Sequence, residues 1–221
     1  MTRRVAPLTL DNLGDLSDPC RRCVLWELDP VSARRAVEAG DPEFEKEAWL
    51  SSTLLEWGSC GRLAYVDDEP AGHVLYAPPG FVPRAQSFPT SPVSADAVLL
   101  MSLRILPRFR DGGIARMLIQ GAAKDLARRG VKAIETFALA ESRGDAAPAV
   151  RQGNGPTPGD EAACLLAEGF LSAVGFTTVR QHHRFPRMRL ELRTAVSWRE
   201  DMEAALERLL ASVPVPAMTT R

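Results

Sequence analysis

The chain has 221 residues, 45% of them hydrophobic and 25% charged, with 27 Lys and Arg against 28 Asp and Glu for a formal net charge of -1. That length makes one large domain or two small ones with enough apolar residues for a core, while the near-zero charge argues against a general nucleic-acid binder, which carries a basic surplus. The 4 cysteines are too few for a disulfide scaffold, no apolar run is long enough to span a bilayer, and no apolar segment follows Met1-Thr2-Arg3-Arg4, so no secretory signal is expected and a soluble cytoplasmic protein is the default.

Arg4 to Leu10 reads as a short first strand and Leu13 to Asp18 as a helical turn. Cys20-Arg21-Arg22-Cys23 follows, ahead of Val24-Leu25-Trp26. This pair has three readings. It could be half of a zinc site, but a second Cys-x-x-Cys and a His at finger spacing are missing. It could be a redox pair, but a thioredoxin-like strand–helix context is missing. The favoured reading is two thiols packed near Trp26. Asp29-Pro30 and Asp41-Pro42-Glu43 each open a helix, with aspartate as N-cap and proline at the first helical position. The second is expected to run to about Trp57 and stop at Gly58, burying Phe44, Ala48, Trp49 and Leu55 and leaving Glu45, Lys46 and Glu47 on a solvated face.

Gly61 to Val66 and Gly72 to Tyr76 make a hairpin around Asp67-Asp68-Glu69-Pro70-Ala71. His73, alone on its strand, reads as a satisfied strand histidine rather than a catalyst. Ala77 to Asp96 is rich in Pro, Ser and Gly, lacks a period, and reads as a long exposed loop.

The stretch from Ala97 to Gly130 organises the rest. Ala97 to Met101, Leu103, Ile105 and Leu106 form an apolar run stopped by Pro107, the pattern of a strand buried on both faces. After Arg110-Asp111-Gly112-Gly113 the period changes. Ile114, Met117, Leu118, Gly121, Ala122 and Leu126 fall on one helical face, and Arg128-Arg129-Gly130 close that helix. The free N–H groups and dipole of a helix start favour an anion, and glycine lets an anion approach the backbone. Pattern alone favours a plainer outcome, an empty turn with Asp111 capping the helix; the Rossmann glycine spacing and the P-loop Lys-Ser/Thr are absent.

Val131 to Leu139 reads as the next strand, parallel to the central one through a right-handed crossover. Glu141 to Asp160 has no periodicity. Asp160 to Val174 reads as a helix with Cys164, Leu165, Leu171 and Val174 inward. Phe176 opens a strand, and Arg187 to Leu192 is the last, with Met188, Leu190 and Leu192 on one face. Ser197-Trp198-Arg199-Glu200 is a capping box for a terminal helix carrying Met202, Leu206 and Leu209, and residues 213–221 are expected to be a disordered tail.

Arg110-Asp111-Gly112-Gly113-Ile114-Ala115 fits the Arg/Gln-x-x-Gly-x-Gly/Ala signature of the GNAT superfamily of N-acetyltransferases, and Phe170 to Phe176 is similar to that family's helix-to-strand step ending in Gly-Phe. The chain resembles the family over most of its length. The resemblance implies an α/β (α+β) fold, a mixed, largely antiparallel central sheet flanked by helices, with a splayed parallel strand pair. It implies a single domain over 1–212, divided into an N-terminal strand and helices (1–58), a core sheet with the CoA site (61–193) and a C-terminal helix (197–211). It also implies acetyl-CoA as cosubstrate, its pyrophosphate on the turn and its pantetheine arm along the central strand, held by Leu103, Ile105, Arg110, Gly112, Gly113, Ala115 and Arg116. No metal is expected. The acceptor would be a primary amine, on a small molecule or on a protein or peptide, with no nucleic-acid or membrane partner, and the chain a monomer or homodimer.

Acyl transfer needs a neutral amine, a polarised thioester carbonyl and an acid for the leaving thiolate. By the resemblance, a backbone N–H near Leu103 to Ile105 polarises the carbonyl. The family's frequent tyrosine acid falls at Leu171 and the glutamate base of some relatives at Leu99; the 2 tyrosines, Tyr65 and Tyr76, lie elsewhere. Glu135, on the strand beside the expected thioester, is the first catalytic candidate, though a solvated or salt-bridged carboxylate is the plainer reading. Asp96, Ser172 and Cys164 come after it. Asp111 must point away from a pyrophosphate or pair with Arg108 or Arg110. Two other functions stay open: a non-catalytic acyl-CoA-binding regulatory module, which the missing tyrosine and glutamate favour, and a zinc or redox module built on Cys20 and Cys23.

Overall fold

A computed structural model describes residues 1–110, 112–140 and 164–192. The expectations for Asp111, for 141–160, for the capping box and for the terminal helix and tail fall outside these residues.

Strands β1 (Arg3–Pro7), β2 (Gly61–Val66), β3 (Glu69–Ala77), β4 (Ala97–Ile105), β5 (Ala133–Leu139), β7 (Thr177–Arg180) and β8 (Arg187–Glu191) lie in one sheet in the order β1-β2-β3-β4-β5-β8-β7, and the short β6 (Leu166–Ala167) pairs with β5 off this path. The β4–β5 and β5–β6 pairs are parallel and the others antiparallel, so the mixed, largely antiparallel sheet expected from the sequence is what forms. The helices are α1 (Asp18–Arg21), α2 (Pro30–Ala39), α3 (Pro42–Glu56), α4 (Ile114–Arg128) and α5 (Glu168–Ala173). Among the described residues no helix is long and apolar enough to cross a membrane.

Helix α4 covers one sheet face. Its Ile114, Leu118, Ala122 and Leu126 pack on Val74, Tyr76, Val98, Leu100 and Ile134, the stripe read from its period. The other face carries Leu63, Leu75, Leu99, Met101 and Phe137, covered by Leu8, Trp26, Leu50 and Phe88. The two-residue turn between β2 and β3 places Asp67 at φ 47° and Asp68 at φ 65°, left-handed positions that aspartate tolerates. Gly72 is required where β3 meets β4, because a Cβ there would lie 2.5 Å from the Arg104 carbonyl oxygen.

Several expectations are corrected. The Asp29 carboxylate caps α2 by accepting from Val31 and Ser32 N–H at 2.9 and 3.1 Å, whereas the Asp41 side chain makes no capping bond. Helix α3 buries Pro42, Lys46, Leu50 and Thr53 instead of the face through Phe44 and Leu55, which are 62% and 87% exposed. The stretch after β3 is no exposed loop. It folds into short 3-10 turns at Pro79–Phe81 and Pro83–Ser87 and buries Val82, Ala85 and Phe88, with the Phe88 ring near-parallel to Trp26 and Phe137 at ring separations of 5.3 and 4.4 Å. Within the expected helix from 160 to 174, residues Leu166 and Ala167 are β6, and α5 begins only at Glu168.

Candidate functional site

The parallel ladder joins Ala97, Val98 and Leu99 of β4 to Ala133, Ile134 and Glu135 of β5. Beyond Leu99 the two strands pair no further among the described residues. The cause lies on the opposite edge of β4. Leu75 pairs with Ser102 but Tyr76 with Leu100, so Met101 is an extra residue, and a bulge of this kind kinks and twists its strand. Side-chain alternation slips there, which leaves Leu100 and Leu103 both on the α4 face.

A slot results, bounded by β4 from Leu100 to Ile105 and by β5 from Thr136 onward. Thr136 Oγ1 donates to the Leu100 carbonyl at 3.0 Å across its closed end. The far edge of β5 is taken, since Ala138 N donates to Pro186 O at 2.8 Å and Ala140 N to Arg184 O at 3.0 Å. Strand β6, pairing with Ala138 and Leu139, therefore fills the edge that β4 has left and forms the slot's outer lip.

Past Ile105 the chain passes a 3-10 turn at Pro107–Phe109 and enters α4 through Gly113, its N-cap, at φ +74°. That left-handed conformation is free for glycine and strained for other residues. Arg3 on β1 pins the turn by donating from Nη1 to the Gly112 carbonyl at 2.7 Å. The Met117 N–H is bonded to the Gly113 carbonyl at 3.1 Å, but no described residue accepts from the N–H groups of Ile114, Ala115 and Arg116. A Cβ placed on Gly113 would meet nothing within 4 Å. Among the described residues the turn thus offers open space at Gly113, N–H groups without an acceptor and the positive end of a 15-residue helix, features that suit an anion. Arg116 is exposed and Arg110 half-buried at its rim. Leu103 and Ile105 turn their side chains toward the α4 core, which leaves their backbone to the slot.

The proton-handling positions look different. Leu99 and Leu171 are both 0% exposed core residues. Glu135, also 0% exposed, stands at the closed end of the slot. It accepts from Arg187 Nη1 at 2.8 Å, Arg189 Nη1 at 3.1 Å and Ser94 N at 3.1 Å. Asp96 is held bidentately by Arg189 at 2.9 and 2.9 Å, which keeps its carboxyl below the usual range. Ser172 is exposed.

A polar cluster on the sheet face opposite α4 is absent from the sequence reading. Glu27 and Lys46 form a buried ion pair, and Glu27 also accepts from the Trp26 N–H at 3.2 Å. Burial acts to lower the Lys46 ammonium, but the Glu27 carboxylate more than offsets it and the net shift is upward. Burial, then Lys46 and Arg104, push His73 down to about 3, and its Nε2 has no hydrogen-bond partner among the described residues. Cys23 and Cys164 place their sulfurs 3.6 Å apart. The hydrogen bond from Cys164 draws the Cys23 thiol down to about 7 against the opposing effect of burial, and the Cys164 thiol is raised. Burial pushes Cys60 up to about 12. The signals were there: Glu27 interrupts an apolar run, and Lys46 sits four residues from both Pro42 and Leu50 on one helical stripe. Among the described residues no group of three or more His, Cys, Asp or Glu side chains is placed to hold a metal ion.

The model of the acetyltransferase (GNAT) family matches residues 22–152. Among solved structures, the PaiA N-acetyltransferase of Thermoplasma acidophilum in complex with coenzyme A is similar at 12% identity and TM-score 0.52, over 86% of this chain and 99% of that one. The loading GNATL domain of CurA from Lyngbya majuscula is similar at 12% identity and TM-score 0.51, over 87% and 99%. An N-acetyltransferase from Staphylococcus aureus Mu50 gives 11% and 0.50, over 87% and 99%. At these identities the likeness is one of fold. A comparison with curated proteins finds no match.

Proposed function

Since this chain belongs to the GNAT family of acetyltransferases, we propose that it moves an acyl group, acetyl from acetyl-CoA, to a primary amine by direct attack in a ternary complex. The observation that carries this reading is the continuity of β4. The strand leaves β5 after Leu99 and runs into the Gly112-Gly113 turn, so one segment supplies both a slot for a thioester and a cradle for a diphosphate. The coenzyme A complex of the Thermoplasma neighbour supports the same choice of cosubstrate.

In this reading the N–H groups from Gly113 to Arg116 hold the diphosphate, and Gly112 and Ala115 keep the approach narrow but unobstructed. Arg110 and Arg116 add charge at the rim, and the backbone of Leu103 and Ile105 lines the pantetheine arm. The thioester supplies the activated acyl carbon. A β4 N–H just past the Met101 bulge faces the carbonyl oxygen and stabilises the negative charge that builds there as the amine attacks. We assign Glu135 the task of locking β8 to β5 behind the slot, because two guanidinium groups occupy its carboxylate. With leucines at 99 and 171, the amine loses its proton to solvent in the open slot and not to a side chain of β4 or α5. The acceptor is a small-molecule or peptide amine.

Thiol release from acetyl-CoA across a panel of small amines and peptide N-termini tests the proposal. Amine-dependent release at a rate above the uncatalysed one is expected. Tight acetyl-CoA binding with no release for any amine would instead identify a non-catalytic acyl-CoA-binding module.

A further inference from the structure

Cys23 and Cys164 stand 141 positions apart in sequence, yet their sulfurs are 3.6 Å apart. Cys23 lies between α1 and α2, and Cys164 lies just ahead of β6, the outer lip of the slot. Both are partly exposed, whereas Cys60 is buried. The Cys20-x-x-Cys23 spacing suggests a local pair, but the sulfur that the fold brings to Cys23 is that of Cys164; no sulfur contact joins Cys20 to Cys23 among the described residues. The thiolate is the reactive form of cysteine. The Cys164 S–H and the Lys46 ammonium both favour it at Cys23, so the pair has an attacking sulfur and a resolving sulfur side by side.

We propose that Cys23 and Cys164 are a reversible modification site that closes to an intramolecular disulfide at the expense of a low-molecular-weight disulfide, RSSR. The Cys23 thiolate attacks one sulfur of RSSR, forming Cys23–S–S–R and expelling RS⁻, which takes the Cys164 proton. The Cys164 thiolate then attacks the Cys23 sulfur, and the second RS⁻ leaves and is protonated by solvent. Two protein thiols are oxidised by two electrons and RSSR is reduced to two RSH. Closure requires the sulfurs to approach by about 1.5 Å, and both lie in connecting segments rather than inside the sheet. The bond ties the segment after α1 to the lip of the slot. The inference does not depend on acyl transfer, since its readout is covalent.

The test treats the full chain under native conditions with oxidised glutathione, blocks remaining thiols with iodoacetamide after unfolding, and maps the digest by mass spectrometry. The expected result is an intact mass lower by two hydrogens before blocking, one cross-linked peptide pair carrying Cys23 and Cys164, and alkylated Cys20 and Cys60; dithiothreitol added before blocking should abolish the mass loss and the cross-link. Cys20→Ser should behave as the parent chain, and Cys164→Ser should accumulate a glutathione adduct on Cys23. A Cys20–Cys23 bond, adducts without hydrogen loss in the parent chain, or four unreacted thiols would each overturn the proposal. The parent-chain map decides the matter even if a variant fails to fold.

Discussion

At Glu135 two guanidinium groups and a backbone N–H surround a carboxylate with 0% exposure. Removing the carboxylate charge takes away the ion pair of Arg187, while Arg189 keeps Asp96 and Glu191; breaking a buried pair from one side costs about 3 kcal/mol. Glu135→Gln is therefore expected to lower the unfolding free energy measured in urea by that order while leaving CoA affinity in place. Unchanged stability with lost turnover would instead mark Glu135 as the proton acceptor. His73 gives a second residue-scale prediction. Its folded value of about 3 lies below the ordinary 6.5, so between those values the unfolded chain binds a proton that the folded chain does not. Stability then falls as pH falls through that window, by up to about 1.4 kcal/mol per pH unit. Urea unfolding of His73→Gln should show a flatter dependence there; an equal slope in both proteins would count against it. At this scale the sequence was least legible. Lys46 between two glutamates reads as solvated, and only the distant Glu27 makes its burial affordable.

Among elements, β4 and α4 were readable because their signals are local: an apolar run, a glycine turn, then a helical period. The slot between β4 and β5 was expected only through the family resemblance, and the bulge at Met101 that opens it leaves no mark in a run of apolar residues. Strand β6 was missed for a related reason. Leu165-Leu166-Ala167 suits either a helix or a strand, and the choice falls to an edge of β5 that exists only because β4 has departed. The α3 face was misjudged because Phe44 and Leu55 outweigh Lys46 in any apolar count. The turn yields the element-scale prediction. Gly113→Glu should abolish CoA binding by calorimetry, whereas Gly113→Ala should add only backbone strain of about 1 kcal/mol. Unaltered affinity in the glutamate variant would remove the cradle from the account.

For the molecule as a whole, two layers meet at one seam. The α4 face supplies the glycine turn and the helix start, and the opposite face carries Trp26, Phe88 and the Glu27–Lys46 pair. Because no β4 or α5 side chain is assigned to proton transfer, the pH profile of kcat/KM should follow the ionisation of the acceptor amine and move when the amine is changed. A further ionisation that stays fixed across amines would reveal a protein base. The whole account is tested most directly by a crystal structure of the chain grown with coenzyme A. It predicts the diphosphate against the N–H groups from Gly113 to Arg116 and the sulfur between Leu103 and Phe137, in the gap where β4 and β5 part. Coenzyme A bound elsewhere, with that turn empty or filled by the protein's own side chains, would contradict it.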